Sequence, residues 1–260
     1  MRKLMKYYIV SGSTVEERIS YLPIRSSTVK KSRGIRRAGS SSARKISANE
    51  RQEELRLGRI LNANFQQGGY LVTLKYSDSR LPADYEELCK NGEKLMRRLR
   101  ILCQRAGVPL KRVLVNANWS PKRGAPARLH HHLVINELPL DLLKELWPEG
   151  ELDIRTLERG KDLTSLAAYL CRNVRAEGKR KWAPSRGLAG PTYSEPEPVE
   201  NTEAIEIPIS AANIHQQPTL DDDGRQVGAY LRCTLPEPPK IVHGRLVIPR
   251  PPKRGGHKRC

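Results

Sequence analysis

The eight residues RLHHHLVI, at positions 128–135, predict a β-strand. Leucine, valine and isoleucine favour a pleated surface. Because side chains alternate faces along a strand, His130 and His132 share one face, while His131 shares the other with apolar neighbours. Two neutral imidazoles on one face can both reach a single divalent ion. His130 and His132 are therefore candidate metal ligands. The alternative is a solvent-exposed strand end with fortuitous histidines.

The chain carries a large excess of positive charge. Its 260 residues include 47 Lys and Arg against 28 Asp and Glu, which gives a formal net charge of +19. Such an excess indicates a polyanionic partner, most simply nucleic acid, with a membrane surface as the competing partner. No apolar run approaches the ~20 residues that a spanning helix needs. The five scattered cysteines show no zinc spacing and suit a reducing cytoplasm. We therefore expect a cytoplasmic protein whose partner is nucleic acid rather than a membrane.

Composition divides the chain into five predicted regions. They are a basic flexible arm at 1–45, a mixed helix and strand domain at 46–183, a Pro-, Gly- and Glu-rich linker at 184–203, a small accessory β region at 204–235 and a basic Pro-rich tail at 236–260. Strands are expected at 205–209 and 227–235 within the accessory region. The arm and the tail are expected to add sequence-independent DNA affinity by releasing counterions.

Within the central domain, apolar periodicity predicts alternating helices and strands. A capping-box pattern at Ser47 starts a helix that continues to about residue 63. Strands are predicted at 70–76, 112–119 and 152–157, and helices at 81–106, 140–147 and from 162 onward. The second helix carries basic residues on its outer face, which we interpret as a solvated face rather than a binding groove, with DNA contact as the alternative: Lys94, Arg97, Arg98 and Arg100.

A second stretch with chemical potential is DLTSLAAYLCRN, at residues 162–173. Its apolar stripe predicts a helix that begins at Asp162. Tyr169 lies off the centre of that stripe, and Arg172 follows on the same side of the helix. A phenol beside a guanidinium on an exposed helix edge is a candidate nucleophile, although the pair also occurs by accident.

Two basic clusters flank these stretches and are candidate DNA-binding residues. Lys122, Arg123 and Arg128 lie in or next to the loop before the histidine strand. Lys179, Arg180, Lys181 and Trp182 follow the tyrosine helix. Cations beside an aromatic ring suit phosphate contact and base stacking. The alternative for Trp182 is that it closes the domain.

With both stretches in place, the chain resembles the HUH endonucleases, in which U is a hydrophobic residue. It is most similar to the rolling-circle replication initiators of small bacterial plasmids and filamentous phages, which implies a bacterial host. The resemblance spans residues 47–182 in the expected order, with 70–76 like the first family strand, His130-His131-His132 like the metal motif and Tyr169-Leu170-Cys171-Arg172 like the tyrosine motif. It implies an α+β fold with a central antiparallel sheet and flanking helices.

The chain departs from that family pattern at three positions. His131 stands where the family has an apolar residue, but alternation directs it to the packed side of the sheet. Arg172 stands where the family often has Lys; it keeps the charge but cannot donate a proton near neutral pH, which favours phosphate or phenolate stabilisation. The third metal ligand would be an amide, with Asn118 and Asn116 as the candidates, and an amide oxygen holds a hard cation more weakly than a carboxylate.

The resemblance implies a metal-dependent DNA nickase and strand transferase. Mg²⁺ or Mn²⁺ would polarise a phosphodiester of single-stranded DNA at an origin hairpin. Tyr169 would attack the phosphorus, leaving a 5′-phosphotyrosine and a free 3′-OH that primes replication. No phosphate-binding GxxxxGK[ST] loop is present, so a host helicase and polymerase are expected partners.

Three other functions stay open at this point. A transposase or conjugative relaxase of the same superfamily would share the chemistry. A non-catalytic basic DNA-binding protein, such as a replication repressor, would need neither the metal nor Tyr169. A ββα-metal nuclease would need a ligand-bearing helix directly after the histidine strand, and the segment after Asn136 supplies no such ligands.

Overall fold

A computed structural model describes residues 2–23, 43–176, 180–205, 208, 210–221 and 224–249. The chain divides into two compact units. The histidine unit is Lys30–Gly190, and the terminal unit combines Met1–Val29 with Pro191–Cys260. Within the described residues the fold is α+β, with four helices and antiparallel sheets.

The histidine unit contains all four described helices and a five-stranded sheet. In chain order its elements are α1 (Ala43–Phe65), β3 (Tyr70–Tyr76), a 3₁₀ turn (Asp78–Arg80), α2 (Tyr85–Arg105), β4 (Arg112–Ser120), β5 (Ala125–Ile135), α3 (Leu140–Leu146), β6 (Gly150–Thr156), α4 (Thr164–Arg172) and β7 (Ala183–Pro184). The sheet order is β6-β3-β5-β4-β7, and every neighbouring pair is antiparallel. The histidine strand β5 is therefore central.

Helices cover both faces of this sheet. Helices α2 and α3 pack on one face through a core that includes Leu99, Leu133 and Leu146. Helices α1 and α4 pack on the other through a core that includes Leu61, Val134 and Leu170. Because both faces are covered, the middle strands bury apolar side chains in both directions.

The terminal unit is built from strands that come from both ends of the chain. Its strands are β1 (Arg2–Ser11), β2 (Thr14–Pro23), β8 (Thr192–Tyr193), β9 (Glu197–Pro198), β10 (Ala212–Leu220), β11 (Gln226–Thr234), β12 (Lys240–Val242) and β13 (Arg245–Val247). Six of them form one sheet in the order β10-β11-β2-β1-β8, with β9 also paired to β1, and β12 and β13 form a separate hairpin.

The prediction of a flexible arm at 1–45 is wrong for residues 2–23, which form the β1–β2 hairpin. Leu4, Val10, Val15 and Ile19 of this hairpin are buried. Gly12 adopts a φ of 61° in the turn, a conformation that glycine reaches without strain. The basic residues between positions 25 and 45 suggested disorder for the whole arm. The hairpin is nevertheless ordered, because β2 pairs with β11 and its apolar side chains are buried. The rest of the predicted arm up to residue 42 lies outside the described residues, and α1 begins at Ala43, earlier than predicted.

The predicted linker at 184–203 and tail at 236–260 also contain paired strands. Strand β7 adds to the edge of the histidine sheet, whereas β8 and β9 pair with β1. Pro184 and Pro198 fit because proline is tolerated at sheet edges. Strands of two residues carry no readable periodicity, which is why composition alone suggested a linker. In the predicted tail, β12 pairs with β13, and residues 250–260 lie outside the described part of the chain.

The accessory β region at 204–235 holds two long strands of the six-stranded sheet. Strand β11 occupies the stretch predicted at 227–235, displaced by one residue. Its partner is β10 at Ala212–Leu220 rather than the stretch predicted at 205–209, of which residues 206, 207 and 209 lie outside the description. The region is not a separate module, because β11 also pairs with β2.

None of the described helices is both long enough and apolar enough to cross a membrane.

Candidate metal centre and nucleophile

His130 and His132 lie side by side on the sheet face that packs against α1 and α4. Their Nε2 atoms are 3.1 Å apart. His132 is buried, with 3% of its surface exposed, and His130 is half-buried. Two nitrogens at this separation match neighbouring ligands of one ion that lies about 2.1 Å from each. The structure thus brings together the two histidines that alternation placed on one face.

Hydrogen bonds at the far ring nitrogens orient both imidazoles. Nδ1 of His130 lies 2.8 Å from the carbonyl oxygen of Arg128, which can only accept. In neutral His130 the proton is therefore on Nδ1, and Nε2 presents a lone pair. Nδ1 of His132 lies 3.2 Å from the Thr73 hydroxyl, which can donate or accept. Thr73 can therefore hold His132 in either tautomer, including the one that presents its Nε2 lone pair.

Burial keeps this pair in the neutral form that a metal ligand requires. Desolvation lowers the pKa of His132 to about 3, with a smaller contribution from the neighbouring histidines and Arg155. Desolvation also lowers the pKa of His130, against the hydrogen bond to Arg128 and together with the charge of Lys75. Both rings are therefore uncharged at neutral pH.

Residues of two neighbouring strands complete this face, and the sequence analysis did not single them out. The register aligns His132 with Thr73, and Thr73 with Asp153 on β6. Directly opposite residues of antiparallel strands share a face. Lys75 is the partner of His130 in the next row, and Arg155 follows Asp153 on the same face of β6. Only the strand order reveals this carboxylate and these two cations, because they lie 20 or more positions from the histidines in sequence.

Asp153 and Lys75 each have an ion-pair partner in the structure. Asp153 pairs with Arg155 at 3.2 Å, and Lys75 pairs with Glu151 at 3.4 Å. Both pairs are solvent-exposed and therefore contribute little to stability. Their side chains can exchange partners at small cost when an ion or a phosphate approaches.

Tyr169 lies on α4 with its ring against His132. The ring centroids of Tyr169 and His132 are 5.5 Å apart, and the two rings meet edge to face. The tyrosine is 45% exposed, so a substrate has access to its side chain. The structure therefore places the predicted nucleophile next to the predicted metal ligands, although the two motifs are 37 positions apart in sequence.

Contacts at both ends hold α4 in this position. At its start, Thr164 N–H donates to Asp162 Oδ1 at 2.9 Å, and Leu163 N–H donates to Asn62 Oδ1 at 2.8 Å. A Cβ added to Gly58 of α1 would lie 3.1 Å from the Thr164 hydroxyl, so glycine permits the close approach of α1 and α4 there. At its end, the carbonyl of Asn173 accepts from two backbone N–H groups of β4.

The prediction of Asn118 as the third metal ligand does not fit its contacts. Its Oδ1 accepts from the backbone N–H of Arg175 at 2.9 Å, and its Nδ2 donates to the carbonyl of the same residue at 2.9 Å. The ladder between β4 and β5 is irregular just here, so local alternation fails. Asn118 therefore ties the segment after α4 to β4. The other candidate, Asn116, contacts His131 on the opposite face.

Within the described ranges, no group of three or more His, Cys, Asp or Glu side chains is arranged to hold a metal ion. The candidate centre thus consists of two imidazole ligands, one of which, His132, is hydrogen-bonded to the Thr73 hydroxyl.

Arg172 has a different partner from the one predicted. Its Nε and Nη2 donate to the two carboxylate oxygens of Glu54 on α1, at 2.8 and 3.1 Å. This pairing raises the pKa of Arg172. Because the guanidinium fork is filled by Glu54, Arg172 links α4 to α1 and is not directed at the phenol or at a phosphate. This contact does not support the predicted catalytic role, which stays a prediction.

The predicted DNA-binding residues differ in their surroundings. Lys122 and Arg123 are exposed at the tip of the β4–β5 hairpin, and Arg180 is exposed as well. Arg128 pairs with Asp78 at 2.7 Å, and Lys181 pairs with Glu50 at 3.4 Å. Lys179 lies outside the described residues. The hairpin tip and Arg180 are thus the predicted cations most open to a phosphate.

Trp182 is a core residue, and the prediction that it stacks on a base is wrong. It is 8% exposed and packs in the core between the sheet and helices α1 and α4. The guanidinium of Arg56 lies 5.8 Å from its ring centroid. A buried indole offers no open face to a base, so Trp182 closes the domain, which was the alternative interpretation.

His131 points to the opposite face, as alternation predicts. It is fully buried, and both ring nitrogens are engaged: Nδ1 lies 2.7 Å from Asn116 Oδ1, and Nε2 lies 2.7 Å from the Tyr76 hydroxyl. Burial, together with the nearby His130, lowers the pKa of His131 to about 3. The polar residue at the hydrophobic position of the motif is therefore accommodated by two buried partners.

Comparisons with known proteins returned no relatives: no family model matches this chain, and neither a curated protein nor a solved structure does.

Proposed function

We propose that this protein is a metal-dependent DNA nickase and strand transferase that initiates replication of a small plasmid or phage. The supporting observation is the meeting of His130, His132 and Tyr169 on one face of the sheet, with the Nε2 atoms 3.1 Å apart and the Tyr169 ring beside His132. These are the two histidines and the tyrosine of the HUH motifs, supplied by a strand and a helix distant in sequence, without the third ligand that the resemblance also implies.

The residues present fit a divalent ion in part. His130 and His132 would hold it through Nε2, and Thr73 would orient His132 from behind, as outer partners of metal-bound histidines do. Two imidazoles suit Mn²⁺ better than Mg²⁺, which favours oxygen ligands. When bound, such an ion would polarise a phosphodiester oxygen and offset the charge that develops during the displacement.

The covalent step is assigned to Tyr169. Its phenolic oxygen forms a bond to phosphorus, and the bond from phosphorus to the 3′ oxygen breaks. The phenolic proton passes to solvent, and the departing 3′ oxygen takes up a proton to become a hydroxyl. The 5′ phosphate stays on the tyrosine, so the same bond energy is available for rejoining. The free 3′-OH can prime a polymerase, and a host helicase would supply unwinding.

Other side chains of the same face would bind the DNA backbone. Lys75 and Arg155 flank the histidine pair, and each lies in an exposed ion pair that a phosphate can displace. Lys122 and Arg123 extend the positive surface at the tip of the β4–β5 hairpin. The formal net charge of +19 supports a polyanionic substrate.

The test is trapping of a covalent adduct. Purified protein is mixed with a labelled pool of single-stranded DNAs, including hairpin-flanked sequences, and Mn²⁺, and the products are separated on a denaturing gel. We expect a band that survives detergent for the wild type and disappears for Tyr169→Phe and for His130→Ala/His132→Ala. Tyr193→Phe is the matched control, because Tyr193 is also exposed but lies in the terminal unit. Sequencing of the trapped strand would identify the origin.

The competing function is a DNA-binding protein without catalysis. The two-histidine donor set, with no third His, Cys, Asp or Glu ligand in the described part of the chain, is the observation that favours it. Metal-independent binding with no adduct across a deep pool would establish that function and rule out the nickase.

A further inference from the structure

A groove with a volume of about 760 Å³ opens on the other face of the histidine sheet, beside α2, β4 and β7. Its lining contains four arginines: Arg97, Arg100, Arg112 and Arg186. Glu93 is the one acid among the described residues that line it. We call this feature the arginine groove. It lies wholly within the histidine unit and shares no residue with the His130, His132 and Tyr169 site.

Three of these guanidinium groups lack a carboxylate partner in the described structure. Arg97, Arg100 and Arg186 are exposed, and no described Asp or Glu oxygen lies within 4 Å of their nitrogens. Arg98, by contrast, pairs with Glu149 outside the groove. These three guanidinium groups are therefore available to bind an anion from solution.

Arg112 adds a half-buried charge to the groove wall. Its Nη1 donates to the carbonyl of Ala183 at 3.1 Å, which fixes the side chain against β7. Burial lowers the pKa of Arg112, and the charge of Arg100 lowers it further. Like charges around one concave surface repel one another, and a bound polyanion would relieve that repulsion.

The lining also indicates which form of nucleic acid fits. Guanidinium forks bind phosphate oxygens in pairs. Grooves that bind single strands combine positive charge with aromatic side chains on which bases stack. The described lining of the arginine groove has no aromatic residue; its apolar members are Met96, Leu110, Leu114, Ala183 and Pro184. Without a stacking surface in its described lining, the groove offers guanidinium contact with phosphates rather than base stacking, which suits a duplex whose bases are already stacked.

We infer that the arginine groove binds the phosphate backbone of duplex DNA, such as a hairpin stem, while the opposite face takes single-stranded DNA. Arg97, Arg100 and Arg186 contact phosphates directly, and Arg112 supplies charge from the groove wall. The contact is independent of sequence. Duplex binding at this groove does not require the nicking reaction, so the two proposals can fail separately.

The test measures binding of a fluorescent hairpin duplex by anisotropy over a range of salt concentrations. The groove variant is Arg97→Ala/Arg100→Ala/Arg186→Ala. The matched control, Arg105→Ala/Lys111→Ala/Lys144→Ala, removes the same charge from exposed positions outside the groove. We expect the groove variant to bind the duplex at least about tenfold more weakly at low salt, with the slope of log K against log salt reduced by about 3. The control should change binding by less than about threefold.

Three results would overturn the inference: no duplex binding by the wild type, equal losses in the groove and control variants, or an equal loss for an unstructured single strand. Adduct formation by the wild type on single-stranded DNA is measured in parallel. If no adduct forms while duplex binding depends on the arginine groove, the nickase proposal is wrong and the duplex-binding inference is supported.

A second measurement uses the unmodified protein, so it does not depend on the folding of a triple variant. Phenylglyoxal modification is mapped by mass spectrometry with and without the duplex. We expect the duplex to protect Arg97 and Arg100 severalfold and to leave Arg105 unprotected. Equal modification of all three in both conditions would contradict the inference.

Discussion

Nδ1 of His131 lies 2.7 Å from Oδ1 of Asn116 in the interior of the histidine unit. The amide oxygen can only accept, so His131 carries its proton on Nδ1 and accepts from the Tyr76 hydroxyl at Nε2. The amide group of Asn116 in turn donates to the sulfur of Cys89 at 3.4 Å. A hydrogen-bonded network of Tyr76, His131, Asn116 and Cys89 thus crosses an otherwise apolar core.

Removing one member of this hydrogen-bonded network should lower the stability of the folded protein. His131→Leu leaves the Asn116 oxygen without its partner and leaves the Tyr76 hydroxyl with Asn91 alone, and we expect it to lower the free energy of unfolding by about 1–3 kcal/mol. Urea unfolding followed by tryptophan fluorescence is the measurement. It reports this unit specifically, because all three tryptophans lie within it.

The matched experiment is a double-mutant cycle with Tyr76→Phe. Removing both ends of a buried hydrogen bond leaves fewer unsatisfied groups, so the double variant should lose less stability than the two single losses added together. Strict additivity would show that the 2.7 Å contact between the two residues carries no coupling.

Thr73 should control metal affinity without binding the metal itself. Thr73→Val removes the hydroxyl that holds Nδ1 of His132, and loss of such an outer partner costs about 10–100-fold in affinity. We expect the Mn²⁺ concentration for half-maximal adduct formation to rise by that factor. Thr73→Ser keeps the hydroxyl and should restore the wild-type value. Equal Mn²⁺ requirements in the wild type and in Thr73→Val would rule out the role.

Asn118 should behave as a structural residue. In Asn118→Ala the Arg175 backbone loses both of its contacts with the side chain, and we expect a loss of about 1–2 kcal/mol in stability. The half-maximal Mn²⁺ concentration should stay within about twofold of wild type at a temperature where the variant is folded. A large rise in that concentration would instead identify Asn118 as a ligand.

The Arg172–Glu54 pair should matter for helix position rather than for chemistry. Arg172→Gln leaves Glu54, whose side chain is only 16% exposed, without its partner. We expect about 1 kcal/mol of destabilisation, in the upper range for a partly exposed ion pair. The single-turnover rate of adduct formation should fall by less than about threefold. A hundredfold fall in the single-turnover rate with unchanged stability would instead support a catalytic role for Arg172.

Cys171 should be inert although it lies two residues after Tyr169 in the α4 helix of the candidate site. It is 2% exposed, and burial raises the pKa of its thiol to about 12. Because the thiolate is the reactive form, iodoacetamide at pH 8 should leave Cys171 unmodified in the folded protein and label it in urea. The same shift means that the free energy of unfolding falls as pH rises from about 9 to 12, since the unfolded chain loses this proton first. Rapid labelling of native Cys171, read by peptide mass spectrometry, would contradict this prediction.

Much of the histidine unit could be predicted from local sequence. The period-2 and period-3.6 patterns locate β3, β4, β5 and the helices between them, because their apolar side chains repeat with the geometry of the backbone. Alternation along β5 also separates His131 from its two neighbours. These properties depend on residues a few positions apart.

Predictions from the local sequence pattern failed for residues whose contacts lie far away in the sequence. The basic composition of residues 1–45 suggested disorder, yet β2 pairs with β11 across more than 200 positions. Trp182 was expected on the surface beside three cations, but it fills a core position. Arg172 was a candidate because it follows Tyr169 on the same side of the helix, and Asn118 because the HUH resemblance places a third ligand on the strand before the histidines. Each instead contacts a residue that neither argument identifies: Glu54 and Arg175.

The sequence by itself thus determined which faces of its strands and helices are apolar, and that His130 and His132 share one of them. Only the tertiary structure decided that Tyr169 would lie against His132, that Thr73 would orient it, and that four arginines would line one groove. The physical reason is the difference between local and long-range interactions. The side-chain period of a strand or helix is set by its own backbone. The groups that meet across a sheet are set by strand order and helix packing, which depend on the whole core at once.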